Sequence, residues 1–152
     1  MQFHVKRKQR MKEKNIWKTI RLNSNIVKWD RVESKTSPGI PDLHGFFKDN
    51  DTGFGHTFWV ELKLTKTNKV LLSSKQIAWH HRFEKYGGTS FICVKALLQR
   101  SLLIYGGKRA TELGEKGLKL APDLVMTETW SEDRFAQLVK IRQKYAKPHA
   151  SI

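Results

Sequence analysis

Apolar and polar residues alternate most strictly between Thr57 and Leu64. Phe58, Val60, Leu62 and Leu64 fall on one side of an extended chain, and Thr57, Trp59, Glu61 and Lys63 on the other. This period of two predicts a strand with one face committed to a core. Upstream, Ile26 to Val32 mixes β-branched and aromatic residues with charges and predicts another strand. Ser34 to Gly39 is rich in turn residues, and Asp42 to Phe47 predicts a second short strand. Lys48 to Gly55, with Asp49, Asn50, Asp51 and Gly53, predicts a hairpin connection into the alternating segment.

Downstream the period lengthens. Ser73 followed three residues later by Gln76 has capping-box spacing, and Gln76, Trp79, Phe83 and Tyr86 recur at helical intervals until Gly87 closes the helix. Thr89 to Val94 and Ser101 to Tyr105 are apolar runs of strand length, the second ended by Gly106-Gly107. Lys108 to Thr129 lacks a clean period and reads mostly as loop. A last helix starts near Ser131, with Glu132 and Asp133 in its first turn and Phe135, Leu138, Val139 and Arg142 on one side. The order strand, hairpin, helix, strand, strand, helix predicts an α/β chain with a central mixed sheet flanked by helices.

Length and composition narrow this picture. At 152 residues and 39% apolar content, the chain has the size and the side chains for one folded domain. We read residues 1–21 as a basic arm and first helix and residues 22–152 as the domain proper. The single cysteine, Cys93, excludes an intramolecular disulfide and a four-cysteine zinc site. It sits in an apolar run and reads as a core residue. No apolar run approaches the roughly 18 residues of a membrane span, and Met1 to Lys14 is too basic for a signal peptide, so an intracellular protein with no membrane partner is expected.

Charge changes the picture most. Lys and Arg number 29 against 14 Asp and Glu, a formal net charge of +15, which attracts polyanions such as nucleic acids. Lys6, Arg7, Lys8, Arg10, Lys12 and Lys14 crowd the arm against the single acid Glu13 and are candidate DNA-phosphate contacts.

The candidate chemistry lies in two ordered fragments, Pro41-Asp42 and Glu61-Leu62-Lys63, with 18 residues between the two acids. Each fragment has a second copy in the chain, Pro122-Asp123 and Glu33-Ser34-Lys35, so neither is specific alone. Singly, Asp42 reads as a turn aspartate and Glu61 with Lys63 as an ion pair on a strand face. Pairing the strand after Asp42 with the strand holding Glu61 brings the two carboxylates together. Such a pair is stable with a cation between its members or a proton on one of them. Oxygen donors point to Mg²⁺ or Mn²⁺, with Lys63 placed to orient a water or to neutralise a phosphate during phosphodiester hydrolysis.

In this order, Pro38-Gly39-Ile40-Pro41-Asp42-Leu43, Phe58-Trp59-Val60-Glu61-Leu62-Lys63, Leu72-Ser73-Ser74-Lys75-Gln76 and Gly87-Gly88 resemble the PD-(D/E)xK nuclease superfamily. The likeness spans about residues 26–96. It is strongest to the virus-type replication-repair (VRR-NUC) group and more distant to phage and archaeal Holliday-junction resolvases. The resemblance implies a restriction-endonuclease-like core and a metal-dependent endonuclease, often acting on branched DNA and often as a homodimer. It further implies that Asp42, Glu61 and the carbonyl of Leu62 hold the metal, that Lys63 is catalytic and that Gln76 supports the site. Many relatives add an acid from the first helix, for which Glu13 and Glu33 are the candidates. A site-specific nicking or homing-type nuclease and a non-catalytic nucleic-acid-binding protein are the alternatives.

Other residues admit two readings each. Gln76 is explained by the Ser73 capping box alone or by a role at the carboxylates. His44 would share Asp42's strand face and touch substrate. Trp59 either borders the cleft or packs on the helix from Ser73. His80 and His81, about 100° apart on a helix, cannot easily chelate one ion.

Removing residues 1–14 deletes six basic residues and one acid. If the arm grips phosphates, DNA binding weakens and the slope of log affinity against log salt flattens in a salt titration; an unchanged slope makes the arm a bystander.

Overall fold

The alternating segment is the axis of the sheet. In the computed structural model, which describes residues 15–32, 37–127 and 129–146, helix α1 (residues 15–22) is followed by β1 (Lys28–Arg31), β2 (Leu43–Lys48) and β3 (Gly55–Thr65). After these come α2 (Ser74–Lys85), β4 (Ser90–Ala96), β5 (Ser101–Gly106), α3 (Ala110–Lys116), β6 (Leu124–Thr127) and α4 (Glu132–Ala146). The strands stand side by side in chain order as one six-stranded sheet. All neighbours are antiparallel except β3 and β4, which are parallel and joined by the crossover helix α2. The chain therefore adopts the expected α/β architecture, a central mixed sheet flanked by helices.

Alternation divides the core in two. Phe58, Val60 and Leu62 of β3, Leu43 and Phe47 of β2, and Phe91 and Cys93 of β4 share one face, which packs on Ile16 and Ile20 of α1 and on Phe135, Ala136 and Val139 of α4. The opposite face carries Ile92 and Val94 of β4 and Leu103 and Tyr105 of β5, covered by Ile77 of α2 and by Ala110 and Leu113 of α3. Cys93 is fully buried, and burial pushes its thiol up to about 12, so it is an inert core residue as expected. Through Ile16 and Ile20, helix α1 shares the main core with residues beyond position 22.

Gly45 shows how tightly the first face is filled. A Cβ there would lie 2.5 Å from the Phe58 ring and 3.0 Å from Trp29, so only glycine lets the two aromatics close over β2. Phe58 then makes edge contacts with Trp29, Phe47, Phe91 and Phe135.

The stretch Lys108 to Thr129 is not the loop expected from the sequence. It holds a 3₁₀ turn, α3, a second 3₁₀ turn and β6. Within α3 only Ala110 and Leu113 are buried, and β6 buries only Met126, so neither element is long enough to show a period. Helix α2 also differs in detail. Its capping box is present, but its buried positions are His80 and Glu84, whereas Tyr86 is 84% exposed. Glu84 pairs with Arg142 of α4 at 3.4 Å, tying the helices of the two faces together. Burial raises the Glu84 pKa, with Arg142 opposing the shift.

The first turn of α4 does more than complement the helix dipole. The Glu132 carboxylate accepts the backbone N–H groups of Asn25 and Ile26 on Oε1 and of Val27 on Oε2, at 2.9–3.1 Å. It thereby pins the connection from α1 into β1. Glu132→Ala leaves three N–H groups without that acceptor and is expected to cost about 2 kcal/mol in urea unfolding, whereas Asp133→Ala, on an exposed side chain, is expected to cost little.

Candidate functional site

The site begins with the register of two strands. In the β2–β3 ladder Leu43 faces Val60, so one further antiparallel step sets Asp42 opposite Glu61. On its other side the main chain of Asp42 continues the β1–β2 ladder, its carbonyl accepting the N–H of Val32 at 2.7 Å. Its side chain reaches across to β3, where Oδ2 accepts the N–H of Leu62 at 2.9 Å, and the neighbouring Glu61 side chain acts on the Asp42 carboxyl to lower its pKa. Two acids with 18 residues between them in sequence are thus neighbours on one sheet face.

Around this pair, Glu61 is only 3% exposed, and its Oε1 accepts a hydrogen bond from Gln76 Nε2 at 3.0 Å. Lys63, two residues along β3 on the same face, places its ammonium 3.8 Å from Glu61 Oε1, an ion pair rather than a hydrogen bond. Gln76 serves both readings of the sequence at once. Its Oε1 accepts the Ser73 N–H at 3.0 Å, completing the capping box, while its Nε2 holds Glu61. The cap of α2 and the orientation of the acid are one device.

Gly39 brings the loop before Asp42 onto that cap. Its φ of +97° is open to few other residues, and a Cβ would come within 2.6 Å of the Lys75 carbonyl oxygen. Only glycine lets the Pro38–Pro41 segment lie against the first turn of α2, which sets Asp42 beside Gln76.

Burial is the largest influence on Asp42 and raises its pKa. The Leu62 N–H, the Glu61 side chain, Lys63 and Arg31 all pull in the other direction. Arg31, at the end of β1, was not singled out in the sequence. Its bearing on Asp42 follows from strand pairing, since Arg31 faces Leu43 across the β1–β2 ladder.

Carboxylate oxygens are the donors that a hard cation prefers. Among the described residues no three His, Cys, Asp or Glu side chains gather into a metal cluster. The Asp42 and Glu61 carboxylates would be the oxygen donors available to such an ion, the rest of its shell coming from water or phosphate oxygens.

Other sequence candidates are distributed as follows. His44 lies on the same face as Asp42, with Nε2 2.6 Å from Thr57 Oγ1 and Nδ1 3.8 Å from Asp30. Trp59 packs its ring edge-on against Trp79 of α2 at 5.8 Å. His80 is buried against Ser90, with its pKa lowered to about 4 chiefly by burial, while His81 meets Thr111; the two rings diverge. The second Pro-Asp is structural, since Asp123 accepts the Gly106 N–H at 2.7 Å and pairs with Arg109 at 3.1 Å. Glu13, Glu33 and the arm residues Lys6, Arg7, Lys8, Arg10, Lys12 and Lys14 lie outside the described residues. Among the described residues, no helix is long and apolar enough to cross a membrane.

No family model and no curated protein sequence matches the chain. Among solved structures it is similar to the Holliday junction resolvase Hjc of the archaeal hyperthermophile Archaeoglobus fulgidus. That likeness has 18% identity over 65% of this chain and 74% of the other, with a TM-score of 0.41.

A raised carboxyl pKa has a definite linkage. The folded state holds the Asp42 proton more tightly than the unfolded chain, so the associated stability is complete below the unfolded value near 3.8 and is lost as pH rises through the folded-state value. Asp42→Asn removes this titration. In urea unfolding with a chelator present, the variant is expected to gain on the wild type as pH rises from about 4.

Proposed function

We propose that the chain is a Mg²⁺- or Mn²⁺-dependent endonuclease that hydrolyses phosphodiester bonds of DNA, with Asp42, Glu61 and Lys63 as its catalytic residues. The observation that carries this reading is the register that sets Asp42 opposite Glu61, with the Asp42 carboxyl on the Leu62 N–H and the Lys63 ammonium 3.8 Å from Glu61. A fold gains nothing from burying two acids against each other, and here burial opposes ionisation of Asp42. A pair held in this way is suited to receiving a dication.

Asp42, Glu61 and the carbonyl of Leu62 would hold the ion. The N–H and C=O of a strand residue point to the same neighbouring strand, and the Leu62 N–H already points at Asp42, which supports a role for its carbonyl. A divalent cation bound there supplies Lewis acidity toward the scissile phosphate and lowers the pKa of a water. Lys63 offers N–H donors to a non-bridging phosphate oxygen or to the attacking water, and Gln76 keeps Glu61 in one orientation. Water adds to phosphorus, a P–O ester bond breaks, and the products are a phosphomonoester and a free hydroxyl.

The net charge of +15 suits a protein that neutralises several phosphates, and with the sequence resemblance it favours branched or junction DNA over a fixed recognition sequence. Paired cuts across a junction need two active sites, so a homodimer belongs to this reading.

Incubation of junction and linear DNA with Mg²⁺ tests it. Cleavage is expected from the wild type and is expected to disappear with EDTA. Lys63→Ala and Asp42→Asn are each expected to lose at least about 100-fold in rate, with Lys63→Ala still binding DNA. Equal cleavage by wild type and variants removes the site assignment. Tight binding without cleavage by the wild type identifies a non-catalytic DNA-binding protein.

A further inference from the structure

The sheet face that carries the carboxylates continues beyond them in ordered rows. Registers of β1, β2 and β3 align Asp30, His44 and Trp59 in the row next to the Asp42–Glu61 pair, and Lys28, Phe46 and Thr57 in the row after that. Lys48 follows one step further along β2. Alternation puts all of these side chains opposite the face where Trp29, Leu43 and Phe58 enter the core. Rows two residues apart are spaced about 7 Å along the strands.

Aromatic rings run across these rows without a break. Phe46 lies 5.7 Å from His44, His44 4.8 Å from Trp59, Trp59 5.8 Å from Trp79, and Trp79 4.7 Å from Phe83. The α2 end of this line is partly covered, but Phe46, on a sheet face, is 42% exposed. It stands between two exposed lysines, Lys28 and Lys48, and all three border an open hollow of about 750 Å³. An exposed ring flanked by cations has a specific chemical complement, a flat π-system tethered to a polyanion.

We propose that this strip is a stacking platform for unpaired nucleotides adjacent to the scissile phosphate. Phe46 stacks a base, and Lys28 and Lys48 contact the phosphates on either side of it. Bases within a duplex keep their faces covered by their neighbours, so the platform engages a strand only where it leaves the helix, as at a flap, gap or branch. This rests on the nuclease reading for the location of the scissile bond and deepens it by naming unpaired DNA beside the cut as the substrate feature recognised.

The test is binding in EDTA of a labelled blunt duplex and of the same duplex with a single-stranded tail, to the full chain and to Phe46→Ala and Phe46→Tyr. The wild type is expected to prefer the tailed duplex. Phe46→Ala is expected to lower that preference about tenfold, and Phe46→Tyr to keep it. Quenching of a 2-aminopurine base in the tail reports stacking directly and is expected with wild type and Phe46→Tyr but not with Phe46→Ala. A preference and quenching unchanged in a folded Phe46→Ala overturn the proposal. So does a change in oligomeric state on Phe46→Ala without DNA, because the face would then be covered by a second copy. Binding in a chelator is independent of cleavage. An unchanged preference in a protein that cuts with Mg²⁺ removes only the platform, whereas an intact Phe46 effect in a protein that never cuts supports the platform and removes the nuclease reading.

Discussion

The antiparallel register between β2 and β3 is the constraint on which the site depends. A ladder that pairs Leu43 with Val60 leaves Asp42 opposite Glu61, and the Leu62 N–H donated to Asp42 locks that last step in place. A slip of one residue would send Glu61 and Lys63 to the face where Phe58, Val60 and Leu62 now form the core. The same packing that buries those three residues therefore fixes the acids on the opposite face. Core and site are two sides of one register.

Helix α2 completes what the register begins. Its capping box stabilises the first turn, and the same Gln76 side chain extends to Glu61, so the helix start and the carboxylate are held by one amide group. Gly39 lets the preceding loop lie on that turn. Three segments distant in sequence, the loop before β2, the middle of β3 and the start of α2, converge within hydrogen-bonding distance. Burial of Asp42 works against its ionisation, which is the kind of local conflict that stable folds retain where a site needs it.

Division of the sheet into two faces also separates tasks. One face is filled by aromatics and aliphatics clasped between α1 and α4, tightly enough that Gly45 admits no side chain. The other is covered by α2 and α3 over β4, β5 and part of β3, and among the described residues no helix covers the β1–β2 part beside the carboxylates. The open part carries Phe46, His44 and the lysines. Its exposure follows from which strands the helices cover, not from any weakness of the core.

The sequence by itself determined the strands from Lys28 to Thr65, the capped helix at Ser73, the apolar strands β4 and β5, and the last helix. In each, local periodicity and end signals agree with the final packing. It also marked Asp42, Glu61 and Lys63, because Pro-Asp before a strand-borne Glu-x-Lys occurs once in the chain, and Gln76 through its capping-box spacing from Ser73. Residues 108–129 were not legible, since α3 and β6 bury too few side chains to show a period. Only the tertiary structure decided that the acids stand opposite one another, that Gln76 serves cap and carboxylate together, that Arg31 acts on Asp42 and that Phe46 faces outward beside them. Those outcomes depend on pairing between strands and on which faces the helices cover. Such relations exist between segments far apart in the chain, so no local pattern can carry them.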